Sequence, residues 1–161
     1  MSKRLNDLTK ILKKQNEYIN FRSINQEVKI IDKSKELPDF PVEIMLDNNN
    51  KQEYTLFDGS HDHFIVVDLG DIYFLKSIQI GLSAHDCCLK NFNVQTKNRE
   101  GYWEDVGKFI CAKYNSNQGL QEFNIGKETQ FVRIDLLDTW GVKSGNYILI
   151  KKIFFAVADI V

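Results

Sequence analysis

Proline is nearly missing from this chain: two occur in 161 residues, Pro38 and Pro41, both in one short segment. A Pro-rich linker or a Pro-punctuated disordered tail is therefore excluded. Cysteine is scarce too. The three are Cys87, Cys88 and Cys111, an odd number with two adjacent, which is not the pattern of a disulfide framework. No run approaches the roughly 18 apolar residues of a membrane span. The opening MSKRLNDLTKILKK lacks the apolar centre of a signal peptide. The expectation is a cytoplasmic chain with reduced thiols and no membrane partner.

Charge is balanced overall, with a net of −1. It is unevenly spread, however. Residues 1–35 carry nine Lys/Arg against four Asp/Glu, and the rest carries twelve against eighteen. A basic arm on an acidic body suits docking onto an acidic surface. It does not suit a nucleic-acid-binding body, which needs a basic face.

What is present favours β-structure. Aromatics reach 12%, with eleven Phe, and aromatic side chains fit pleated, half-buried surfaces. From Tyr54 onward, short alternating runs are separated by turn clusters. FIVVDL, SIQIGL, NFNVQT, YWEDVGKFICA, QEFNI, QFVRIDLL and NYILIKKIFFAVA are the expected strands. KNREG, KYNSNQG, GKET and WGVKSG are the expected turns. The pattern predicts an all-β, antiparallel β-sandwich over residues 36–161. Ile65, Val67, Ile78, Ile80, Phe92, Val94, Trp103, Val132 and Ile134 should be buried. Residues 1–35 are expected to form a short basic helical arm and linker, with Leu5, Leu8, Leu12 and Ile19 on one stripe as a partner-docking face.

Catalytic and metal chemistry find little support. His61-Asp62-His63 and His85-Asp86-Cys87-Cys88 offer ligand types, but adjacent cysteines miss the spacing of structural zinc. No nucleophile stands in a recognisable catalytic signature. Glu104 and Asp105 are sequence neighbours, better read as an exposed acidic turn than as an acid–base pair. The expectation is no enzyme, no metal and no cofactor.

An ordered set of motifs carries a resemblance. Asp58-Gly59 is followed by VDLG at Val67 to Gly70, IQI at Ile78 to Ile80 and FNV at Phe92 to Val94. GYWEDV at Gly101 to Val106, FVRI at Phe131 to Ile134 and ILIKKIFF at Ile148 to Phe155 complete it. This series is similar to the discoidin, or coagulation-factor C-type, domain of the galactose-binding-like superfamily. The resemblance implies a jelly-roll-like sandwich whose loops at one end recognise a partner. Candidate residues at that end are Asp58, His61, His63, His85, Trp140 and Lys143. Lys151 and Lys152 stand where calcium-binding relatives often carry an acid, which argues against calcium.

The framing cysteine pair of secreted relatives is absent. The first reading is therefore a non-catalytic, protein-binding subunit of an intracellular assembly, such as a ciliary, axonemal or transport complex. Its partners would be other protein subunits. A carbohydrate-binding module, with a glycan as ligand, is the first alternative; a substrate-receptor subunit of a ubiquitin ligase is the second.

Overall fold

The computed structural model describes residues 21–35, 39–47, 55–57, 62–84, 87–117, 119–141 and 147–160. The expected helical arm, with Leu5, Leu8, Leu12 and Ile19, lies outside these residues. Nine strands and one helical turn are described. They are β1 (Arg22–Ser23), β2 (Lys29–Lys33), α1 (Glu43–Leu46), β3 (Thr55–Phe57), β4 (His63–Gly81), β5 (Asn91–Lys97), β6 (Trp103–Ile110), β7 (Gln121–Leu136), β8 (Ile148–Ile150) and β9 (Lys152–Asp159). Every pairing between these strands is antiparallel. The main sheet runs β1-β9-β4-β7-β5-β6, with β2 also paired to β4; β3 and β8 form a separate pair. The sheet takes in β1 and β2, so it reaches N-terminal of residue 35.

FIVVDL and SIQIGL are one strand, not two. β4 runs 19 residues without a reversal. Its first half pairs β2 and the end of β7; its second half pairs β9 and the start of β7. β4 thus changes its neighbour part way along, at a corner marked by a slip in register. The corner is the Asp68-Leu69-Gly70 segment. Between Asp68 and Tyr73 the register with β7 slips, because the four residues 69–72 of β4 oppose Gln130 alone on β7. Gly70 takes φ +93° there, and its N–H donates to Asp68 Oδ1 at 2.8 Å. The glycine permits the left-handed backbone and the carboxylate satisfies its amide. Gln130 Nε2 donates to the same oxygen at 3.0 Å, tying the corner to β7.

The GKET turn dissolves in the same manner. β7 runs 16 residues through it. Gly126, at φ +69°, sits where the β4–β7 register shifts again, the signature of a glycine bulge. Conversely, NYILIKKIFFAVA is not one strand. It breaks at Lys151, whose N–H donates to Gly81 O at 3.0 Å, so β8 and β9 enter different sheets.

The core follows the predicted alternation. Ile65, Val67, Ile78, Ile80, Phe92, Val94, Val132 and Ile134 are buried. Phe92 stacks on Phe109 at 5.5 Å between ring centroids and meets Phe123 edge-on at 4.9 Å. Each such pair contributes about 0.5–1.5 kcal/mol beyond area burial. Trp103 corrects the expectation. It is 39% exposed, because β6 is the sheet edge and Trp103 pairs with Lys97, whose ammonium lies 5.4 Å from the ring centroid.

Candidate binding site

Alternation that buries Phe92, Val94, Val132, Ile134 and Leu136 turns the intervening residues outward. Pairing then aligns them into two rows that are polar on β7, β5 and β6 and end on β4 at Phe64 and the buried Val66. One row is Phe64 (β4), Asp135 (β7), Asn93 (β5) and Lys108 (β6); the next is Val66, Arg133, Gln95 and Asp105. The groups within the rows hold one another. Arg133 Nε donates to Asp135 Oδ1 at 3.0 Å, and its guanidinium carbon lies 4.2 Å from the Phe64 ring centroid. Gln95 Nε2 donates to Asp105 Oδ1 at 3.0 Å.

These rows open into a cavity of about 910 Å³ at one end of the sandwich. Asn93, Asp105, Lys108, Arg133 and Asp135 form its wall on the sheet face. Asp62, His63, Leu136, Leu137, Asp138, Thr139, Gly141 and Ile148 form its rim. The rim is braced. Asn91 donates its backbone N–H and its amide to Asp138 Oδ1, both at 2.9 Å, and its amide also reaches Oδ2 at 3.0 Å. Leu137 N–H in turn donates to Asn91 O at 2.9 Å. Leu137 remains 49% exposed, an apolar contact surface among polar neighbours.

Among the described residues, His63 is the one predicted candidate that lines this cavity. It is buried, its Nδ1 is 3.1 Å from Ser34 Oγ, and its ring centroid is 5.5 Å from that of Phe57. Trp140 stands beside the rim and is engaged internally. Its indole N–H donates to Cys111 O at 3.0 Å, its backbone N–H donates to Cys88 O at 3.2 Å, and Lys90 Nζ lies 4.6 Å from the ring centroid. It clips the loop after β7 to those before β5 and after β6. Asp58, His61, His85 and Lys143 lie outside the described residues. Asn93, Lys108, Asp135 and Asp138 were missed by the sequence reading, although the alternation in NFNVQT and VRID already turns the first and third of them outward.

Cys88 and Cys111 are buried and Cys87 is half-buried. Burial pushes the Cys111 thiol up to about 12, with a further rise from Cys88 nearby. Among the described residues, no group of three or more His, Cys, Asp or Glu is placed to hold a metal ion.

The antiparallel sheets and the braced polar cavity at the loop end define a β-sandwich domain. The chain belongs to the F5/8 type C domain family, which it matches over residues 30–151. Similar solved structures include the family 32 carbohydrate-binding module (CBM) of Clostridium perfringens NanJ in complex with galactose. It is 15% identical with a TM-score of 0.69, over 85% of this chain and 99% of that one. CBM32-3 from a family 31 glycoside hydrolase of C. perfringens is 14% identical with a TM-score of 0.70, over 88% and 95%. CpGH89CBM32-5 of C. perfringens, in complex with GalNAc-β-1,3-galactose, is 11% identical with a TM-score of 0.63, over 83% and 99%. At these identities the likeness establishes the fold. No curated protein matches the chain.

These neighbours overturn the expectation of a protein-assembly subunit with protein partners. The similar structures are carbohydrate-binding modules, two of those above holding galactose or a galactose-containing disaccharide. The carbohydrate-binding alternative is the one they favour. The absence of a framing cysteine pair, which steered the first reading, bears on disulfide chemistry and carries no information about the ligand.

Proposed function

We propose that this domain is a non-catalytic carbohydrate-binding module whose ligand occupies the cavity at the loop end. The observation that carries the reading is the wall itself. A sugar presents neighbouring hydroxyls, each able to donate and accept. Carboxylate, amide and guanidinium groups are planar and pair with two such groups at once. Asp135, Asn93 and Arg133 supply all three types on adjacent strands, and the exposed Leu137 gives an apolar surface for the C–H face of a ring. The cavity also falls within the ~300–1,000 Å³ range of small-molecule sites.

Support also comes from the neighbours crystallised with galactose and GalNAc-β-1,3-galactose. The test is titration of the isotope-labelled chain with galactose, GalNAc and GlcNAc, read by amide chemical shifts. Saturable shifts centred on residues 91–95 and 133–139 are expected for at least one sugar. No saturable shift with any of the three would overturn the reading.

A further inference from the structure

The outward polar residues lie on three adjacent strands, β7, β5 and β6, which span about 10 Å at ~4.8 Å per strand spacing. The two polar rows therefore extend further than a single pyranose ring can cover. The cavity follows them, because Asp62, Asp138 and Thr139 at the rim and Asp105 and Lys108 on the edge strand line one continuous space of about 910 Å³. From this we propose that the site is a groove running from the loop end across the outer sheet face to β6, and that it holds a chain of linked neutral sugars rather than one terminal unit. The proposal rests on the carbohydrate reading above.

Charge selects the kind of chain. On the sheet face, Arg133 and Lys108 balance Asp135 and Asp105, so that wall has no net charge for an ionic ligand to meet. Among the described lining residues, Asp62 and Asp138 then give the rim a negative balance. An anionic chain such as an oligouronide would meet this rim repulsively, and the face offers it no surplus cation. Hydroxyl-rich neutral rings lose nothing to that field and use every planar group in the rows. The sequential placement of amide, carboxylate and cation from β7 to the exposed edge strand gives successive rings separate hydrogen-bond partners.

The test compares galactose and GlcNAc with their neutral β-1,4-linked tetramers and with tetragalacturonate, by calorimetry on the full chain. The better neutral tetramer is expected to bind roughly tenfold or more tightly than its own monomer, beyond the statistical gain from four equivalent rings. Tetragalacturonate should bind at least tenfold more weakly than the neutral tetramer. In Lys108→Ala and Asp105→Asn the tetramer-to-monomer ratio should fall, with unchanged thermal melting as the folding control. Equal affinity for monomer and tetramer would overturn the extended groove while leaving sugar binding intact. Equal affinity for neutral and acidic tetramers would overturn the charge selection. Absence of binding by every sugar would overturn the groove together with the reading it rests on.

Discussion

The Arg133 guanidinium is held between the face of Phe64, 4.2 Å away, and the Asp135 carboxylate, 3.0 Å from Nε. Stacking and ion pairing fix its plane in the middle of the cavity wall. A lysine keeps the charge but has no plane to stack and no fork to present. Arg133→Lys is therefore expected to weaken sugar binding by about tenfold, or roughly 1.4 kcal/mol. Its effect on stability should be small, since the pair is about one third exposed. Calorimetric titration alongside thermal melting separates the two effects.

The corner of β4 gives a stability prediction. At Gly70 a Cβ would meet Glu27 O at 3.5 Å and Glu27 Cβ at 3.9 Å, both ordinary contacts, so space is not the obstacle. The left-handed backbone is. Gly70→Ala is expected to cost about 1–2 kcal/mol. Asp68→Ala should cost about 1–3 kcal/mol, because its oxygen accepts from both Gly70 N–H and Gln130 Nε2. Urea unfolding measures both.

Trp140 closes the end of the sandwich through its indole N–H. Trp140→Phe keeps an aromatic ring under Lys90 and removes the donor to Cys111 O. A loss of about 1–2 kcal/mol is expected, together with perturbed amide shifts at Cys88 and Cys111. An unchanged spectrum at those two amides would count against the clip.

Cys111 makes stability depend on alkaline pH. Its thiol is raised from 9.0 to about 12 by burial, with Cys88 adding to the rise. The folded chain therefore holds this proton where the unfolded chain releases it. The contribution is complete below pH 9 and is lost as pH climbs from 9 toward about 12. Urea midpoints should fall over that window and fall less steeply in Cys111→Ala. At pH 8 native Cys111 should resist iodoacetamide until the chain is unfolded.

Much of the sandwich is legible in the alternation of its strands, since period-two burial places Ile65, Val67, Val132 and Ile134 inside without any tertiary information. Continuity is less legible. Asp68-Leu69-Gly70 and Gly126 carry turn chemistry, and local chemistry alone does not distinguish a reversal from a bend within one strand. Lys151 shows the converse, because the break there depends on a contact with Gly81, some 70 residues away in sequence. Trp103 was misplaced because edge position is a property of the whole sheet. The cavity wall was half visible: Arg133 reads as outward-facing, but its alignment with Asp105 and Gln95 exists only once β5, β6 and β7 are in register.

β4 and β7 pair along nearly their whole length in the main sheet, and β4 also joins β2 and β9 to it. The two ends of that sheet therefore cannot separate independently, because the same two strands hold both. The domain should unfold as one cooperative unit, with amide protons in the middle of β4 exchanging only through global unfolding. Partners in these strands are also far apart along the chain, Ile65 with Ile134 and Ile78 with Phe155 among them. Such topology slows folding, since long loops must close before any of these pairs can form. The unit is slow to assemble, and once assembled it gives the groove a backing that does not come apart in pieces.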